Sequence, residues 1–292
     1  MKLARIKRNG VVQFAIVSSD HVIALEPPAT IAPDAAQTSL LALLTDQVSP
    51  LDVGWKARES LPLEAVRLLA PVGRPGKIVG VGRNYLDHAS EMAVEIPAVP
   101  KMFLKWPGAV IGPDDDIHHT HRIKQLDHEV EVALVIGKPA RDVTREHAGA
   151  YIAGLTILND VSERAIQMMP NAPSTSLAKS LDTFCPMGPW LVTLDEIGSI
   201  DDITLECHVN GERVQHGHTS QMIFSMPVLV EYLSHLMTLE PGDVIATGTP
   251  SGVGMYRTPP VWLQPGDTVS LRVSGIGTLT NKVVSVPTRT DS

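Results

Sequence analysis

The stretch Gln125-Leu126-Asp127-His128-Glu129-Val130-Glu131-Val132-Ala133-Leu134-Val135-Ile136-Gly137 decides how this chain is read. Its second half is a β-branched, apolar run closed by glycine, the pattern of a buried strand. Glu129 and Glu131 enter that strand at positions i and i+2. Side chains alternate along a strand, so the two carboxylates share one face. Ionised acids this close, at the mouth of an apolar strand, repel each other and lose hydration. A positive partner between them is expected.

A third acid closes Leu155-Thr156-Ile157-Leu158-Asn159-Asp160, another apolar run that ends where a strand would open into a loop. Three carboxylates from two strand ends suit a hard divalent cation such as Mg²⁺ or Mn²⁺. On spacing alone, a solvent-facing edge strand with Asp160 capping a helix explains the same residues equally well.

Composition narrows the function classes. A chain of 292 residues holds one large domain, or a large and a small one. Its 24 basic and 32 acidic residues leave a net charge of −8, which argues against a nucleic-acid or anionic-membrane surface. Cys185 and Cys207 imply no disulfide framework and suit a reducing cytoplasm. The N-terminus Met1-Lys2-Leu3-Ala4-Arg5-Ile6-Lys7-Arg8 lacks the apolar core of a signal peptide, and no stretch is long enough to span a bilayer. A soluble, cytoplasmic protein with a small-molecule substrate is expected.

Residues 1–72 read as a small N-terminal α/β module and 73–292 as the catalytic domain. Lys2–Ile6 and Val11–Val17 are expected strands joined by the hairpin signal Asn9-Gly10, followed by a strand at His21–Leu25. Ser39–Leu44 is an expected short helix with Ser39 near its cap. Pro71-Val72-Gly73-Arg74-Pro75-Gly76 is turn-rich and marks the boundary.

In the larger part, Lys77–Val81 is a strand leading into Gly82-Arg83-Asn84-Tyr85. Gly80-Val81-Gly82 is no dinucleotide fingerprint, because Tyr85 stands where its third glycine must be. A helix over Tyr85–Met92 places His88 and Glu91 at i and i+3, the pairing that orients an imidazole as a general base; a solvated helix face accounts for the same pattern. Arg164 and Gln167 lie at i+4 and i+7 from Asp160, the spacing of one helix face. His118-His119-Thr120-His121 reads as surface. In Thr247-Gly248-Thr249-Pro250-Ser251-Gly252-Val253-Gly254 the glycines let N–H groups approach a ligand and Thr249 offers a hydroxyl, or the loop simply needs glycine dihedrals. Ser251 lacks the frame of a nucleophile elbow.

The order Gly-Arg-Asn-Tyr-x-x-His-x-x-Glu, Glu-x-Glu, Asn-Asp, Lys-Ser-x-Asp-Thr, Asn-Gly-Glu, Gly-Thr-Pro-x-Gly-Val-Gly resembles the fumarylacetoacetate hydrolase (FAH) family. Within it, the acylpyruvate hydrolase-like and 2-hydroxyhepta-2,4-diene-1,7-dioate isomerase-like branch is the nearest match. The resemblance implies a mainly β fold (α+β), a mixed β-sandwich roll, a homodimer, and Mg²⁺ or Mn²⁺ held by Glu129, Glu131 and Asp160. It implies a catalytic His88–Glu91 pair on a mobile segment and a catalytic Lys179. It implies substrate contacts from Arg83, Tyr85, Arg164, Gln167 and Thr249. The implied reaction is hydrolysis of a carbon–carbon bond in a 2,4-dioxo acid, giving a pyruvate-type product and a carboxylic acid. Decarboxylation or keto–enol isomerisation of a 2-oxo diacid uses the same site, and a non-catalytic metal-binding protein is the alternative from another class. The chain departs from the family pattern at Met168–Ser176, a loop without lysine or arginine, from which a preference for neutral, apolar substrate tails is expected.

Overall fold

The Val130–Ile136 strand is buried along its whole length in the computed structural model, which describes residues 1–91 and 95–287. It pairs antiparallel with Ile152–Asn159 on one side and Val244–Ala246 on the other. Its two faces serve different cores, as strand alternation requires. Val130, Val132, Leu134 and Ile136 join a core shared with Leu205, Val269, Leu271 and Leu279 of a second, five-stranded sheet. Ala133 and Val135 face a separate cluster that includes Leu40, Leu41 and Leu44. The fold is therefore a mainly β, two-sheet assembly with one helix-covered face.

The large sheet has twelve strands and runs without a break across the expected boundary at residue 72. Lys2 and Leu3 pair with Val192 and Leu191, so the N-terminal strands extend the same sheet. Asn9 and Gly10 join the first hairpin with φ of 49° and 83°, both in the left-handed region that two-residue hairpin turns use. Helix α1, Ala36–Thr45, begins earlier than Ser39, which lies inside it; Ala35 precedes the helix without a side-chain cap. Packing rather than capping holds it in place. Gly137 permits the close approach, since a Cβ there would meet Thr45 Oγ1 at 1.7 Å.

Two other expectations are corrected. No helix runs from Asp160 to Gln167. Ser162–Glu163 instead pairs with Leu126–Asp127, and a single helical turn, α3 (Arg164–Gln167), follows. The Glu163 carboxylate accepts N–H groups from Lys124, Gln125 and Ala165, which fixes this corner. The loop after Met168 ends in another short turn at Thr175–Ala178. Helix α2 spans Leu86–Glu91, with Tyr85 preceding it; the expected end at Met92 lies outside the described residues. No helix among the described residues is long and apolar enough to cross a membrane.

Candidate metal centre and active site

Strand register brings the three acids together. Glu131 lies opposite Leu158, and Val130 opposite Asn159. Asp160 N donates to the Glu129 carbonyl at 2.9 Å, so Asp160 continues the pairing one step beyond the strand. Glu129, Glu131 and Asp160 are all buried, and one ligand atom of each lies within 4.8 Å of the others. Among the described residues, no other group of three His, Cys, Asp or Glu side chains is placed this way.

Three cations surround the triad. Lys179 Nζ donates to Glu129 Oε2 at 2.9 Å and to an Asp160 carboxylate oxygen. Lys105 Nζ donates to Asp160 Oδ1 at 2.7 Å and to the Lys179 carbonyl. Arg164 reaches Glu129 Oε1 at 2.6 Å, Asp127 Oδ2 at 2.9 Å and Gln167 Oε1 at 2.8 Å. Burial alone would raise the Glu129 carboxyl, but Lys179 and Arg164 outweigh it and hold it down at about 2.

Glu131 is treated differently. It has no ion pair among the described residues, and Gly248 N–H, at 2.8 Å, is its one hydrogen-bond donor. Burial first, then Asp160 and Glu129, push its carboxyl well above the usual range. Counting Asp127, the centre holds four acids against Lys105, Arg164 and Lys179, so one negative charge is left without a partner. An all-oxygen donor set with an uncompensated buried carboxylate fits a hard divalent cation.

The dyad stands beside this centre. His88 Nδ1 lies 2.9 Å from Glu91 Oε2. A carboxylate only accepts, so Nδ1 carries the proton and Nε2 is the free base. Helix α2 is tied to the glycine loop at two points. Asp87 Oδ2 accepts Ser251 Oγ at 2.8 Å and Ser251 N at 3.2 Å, and Glu91 Oε1 accepts Gly252 N at 3.0 Å. The Tyr256 ring meets the His88 ring edge-on at 5.9 Å. His88, Glu129, Arg164 and Lys179 share the wall of one cavity of about 420 Å³, together with Arg83 and Lys101.

The comparisons with known proteins bear on this geometry. Residues 77–284 match the family model "Fumarylacetoacetate (FAA) hydrolase C-terminal", and residues 1–71 match "Rv2993c-like, N-terminal". The chain belongs to the fumarylacetoacetate hydrolase family. The human mitochondrial oxaloacetate tautomerase FAHD2A is 45% identical over 224 residues, covering 77% of this chain and 71% of that protein. The crystal structure of a 5-carboxymethyl-2-hydroxymuconate delta-isomerase from Mycobacterium smegmatis superposes with a TM-score of 0.79 at 37% identity, covering 98% of this chain and all of that one. A maleylpyruvate hydrolase from Sphingobium sp. SYK-6, in complex with manganese(II) and pyruvate, also gives a TM-score of 0.79, at 28% identity and with 98% and 99% of the two chains covered. This FAH-family chain is similar to isomerases, tautomerases and hydrolases alike.

Of the residues singled out from sequence, the FAH-family cavity collects Arg83, His88, Glu129, Arg164, Gln167, Lys179 and Thr249. Glu91 stands behind His88 and orients it. Glu131 and Asp160 lie off its wall, and Tyr85 is placed otherwise. Tyr85 is fully buried in the core, away from the cavity wall, and its phenolic oxygen has no hydrogen-bond partner among the described residues. The Thr249 hydroxyl donates to the Val130 carbonyl at 2.9 Å and accepts from Gln215 Nε2 at 2.8 Å, so it holds the loop against the Glu131 strand. The glycine loop also departs from expectation. Its N–H groups point at the protein's own carboxylates: Gly248 at Glu131, Ser251 at Asp87, Gly252 at Glu91, and Gly254 at Asp127.

Sequence reasoning missed Lys101, Lys105 and Asp127. A signal for the lysines was present, because Lys101, Phe103 and Lys105 alternate along the Lys101–Lys105 strand and so share a face. Phe103 lies on the cavity wall, with its ring 5.0 Å from Lys179 Nζ. Asp127 had no such signal; its partners lie in sequence-distant segments.

Proposed function

We propose that this chain is a divalent-cation-dependent tautomerase of 2-oxo acids, moving a proton between carbon and oxygen. The observation that carries the reading is one oriented imidazole, His88 on Glu91, sharing a cavity wall with Glu129, the outermost acid of a buried three-carboxylate cluster. Glu129, Glu131 and Asp160 would hold Mg²⁺ or Mn²⁺. Bound there, the cation supplies Lewis-acid polarisation of the oxygens of a 2-oxo acid. His88 Nε2 takes a proton from the carbon beside the keto group. The C–H electron pair becomes the carbon–carbon double bond, the keto oxygen takes up a proton, and the reverse sequence returns the keto form. Glu91 keeps the imidazole aimed. Lys179, held on Glu129 and Asp160, adds fixed positive charge where negative charge develops on oxygen. The 45% identity to an oxaloacetate tautomerase supports this reading.

A second reading has its own support. The same His88 could activate water against a 2,4-dioxo acid, and the manganese-containing maleylpyruvate hydrolase shares the whole fold. One experiment separates the two. With Mg²⁺ or Mn²⁺ in D₂O, proton NMR follows C3 hydrogen exchange of oxaloacetate, and in parallel the release of pyruvate from an acylpyruvate. Exchange that exceeds the buffer rate, stops with chelator and falls roughly 10²–10⁴-fold in His88→Ala is the expected result. Release of pyruvate and acid with no enhanced exchange rejects the tautomerase for the hydrolase. Neither activity with either metal rejects both.

A further inference from the structure

Arg83 and Lys101 stand apart from every other cation on the cavity wall. Arg164 and Lys179 are each engaged by two acids. The side chains of Arg83 and Lys101 make no hydrogen bond or ion pair among the described residues, yet both line the cavity that contains Glu129. Topology puts them side by side. Gly82 and Lys101 are direct cross-strand partners where the Ile78–Gly82 and Lys101–Lys105 strands pair, and Arg83 follows Gly82.

The backbone at Arg83 is specified rather than incidental. Its φ is 59°, in the left-handed region that a non-glycine residue seldom adopts and that costs on the order of 1 kcal/mol. Asn84 fixes the turn from below, donating Nδ2 to the Thr247 carbonyl at 2.8 Å and to the Phe224 carbonyl at 3.0 Å, and accepting Phe224 N at 2.8 Å. Gly248 leaves no spare room there, since a Cβ on it would come within 2.8 Å of Asn84 Cβ. The structure thus holds two like charges together on a cavity wall, with no anion paired to either among the described residues. Burial, and then Arg83, lower the Lys101 ammonium from its ordinary value. A carboxylate placed between them removes the repulsion and gains charge-assisted hydrogen bonds, bidentate at the arginine.

We propose that Arg83 and Lys101 form a subsite for a second carboxylate, so that the substrate is a 2-oxo dicarboxylate and not a neutral-tailed 2-oxo acid. This rests on the reading of the three-carboxylate centre as the place where the 2-oxo end binds. It reverses the expectation drawn from the uncharged Met168–Ser176 loop, because the cations come from a different segment, the paired strand ends at Gly82 and Lys101. Met168 and Pro173 do line the cavity, but as apolar walls beside a charged end.

The test compares substrates that differ only in the far group. C3 hydrogen exchange is measured for oxaloacetate and for 2-oxobutanoate, which has the same four carbons and one carboxylate. Wild type should favour the diacid at least tenfold in kcat/KM. Lys101→Gln and Arg83→Gln should each cut that ratio about tenfold, mainly through KM. A wild-type ratio near one, or equal losses on both acids in the variants, overturns the subsite. An arm independent of turnover uses calorimetry in Mg²⁺ with malate and 2-hydroxybutanoate. Malate should bind at least tenfold tighter to wild type, and the advantage should shrink in both variants. If neither 2-oxo acid reacts but malate keeps that advantage, the tautomerase reading fails and the subsite stands. If malate has no advantage, the subsite fails whatever the activity. Unchanged melting temperatures exclude misfolding, and Lys101→Arg should restore part of the diacid preference.

Discussion

Asp127 and Glu131 lie four residues apart in one segment, are both buried, and are electrostatic opposites. Asp127 accepts four donors: His128 N at 2.9 Å, Gly254 N at 2.7 Å, Met255 N at 3.1 Å and Arg164 Nε at 2.9 Å. Burial alone would raise its carboxyl, but Arg164 and these donors bring it below the usual value. Glu131 accepts a single N–H and faces two other acids, and its carboxyl is pushed up. Burial therefore does not distinguish a structural acid from a working one; the count of donors does. Asp127 closes a corner of the fold, and Glu131 has no ion-pair partner of its own among the described residues.

The sharpest way to break this comparison is to remove Asp127. Asp127→Ala removes one of the two acids that hold the buried Arg164 guanidinium and leaves the His128, Gly254 and Met255 N–H groups without this acceptor, and should cost roughly 3–5 kcal/mol in urea unfolding, the scale for breaking a buried pair. A loss under about 1 kcal/mol would mean that Asp127 is not structural. Glu131→Gln should do the reverse. Without metal the variant should melt a few degrees higher, about 2–4 °C for each kcal/mol gained in a chain of this size. Wild type with Mg²⁺ at a hundred times its dissociation constant should gain about 2.7 kcal/mol, and the variant little or none. A full metal-induced shift in Glu131→Gln rules the residue out as a ligand.

Acid pH sharpens the contrast within the triad. Glu129 has a folded value of about 2 against an ordinary 4.5, so its contribution to stability is present above pH 4.5 and lost as pH falls toward 2. Glu131 has a raised folded value, so its contribution is present below its ordinary value of 4.5 and lost as pH climbs through the folded one. In chelator, Glu129→Gln should flatten the fall in melting temperature between pH 4.5 and 2, and identical slopes would contradict the assignment. The smallest effect belongs to Tyr85→Phe. The buried phenolic oxygen has no partner among the described residues, so its removal should leave stability unchanged or raise it by up to about 1 kcal/mol. A tenfold loss of activity in that variant would restore Tyr85 as a substrate contact.

These differences also show what was legible beforehand. The shared face of Glu129 and Glu131 was, because strand alternation is local, and the family resemblance joined Asp160 to them. His88 and Glu91 were, because i, i+3 spacing needs only one turn of helix. Lys105 and Asp127 were not. Lys105 finds its partners at Asp160 and Lys179, and Asp127 at Arg164 and Gly254, through approaches between distant segments. The helix under Arg164 and Gln167 was expected, but its late start was not, since Ser162–Glu163 is extended where Leu126–Asp127 pairs with it. The glycine loop was recognised as a source of N–H groups, but their direction depends on the tertiary fold.

One feature of the N-terminal segment reaches the metal centre. Glu131, Ala133 and Val135 share a strand face, and α1 packs over its apolar end with Gly137 as the point of closest approach. Ligand geometry is thus set at one end of a lever whose other end is pressed by a helix near the start of the chain. A bulky replacement at Ala133 or Gly137 touches no ligand, yet it would lift that helix and tilt the strand that aims Glu131. Inherited variants of this kind would show as weak metal affinity, and a search confined to the cavity would miss where the fault lies.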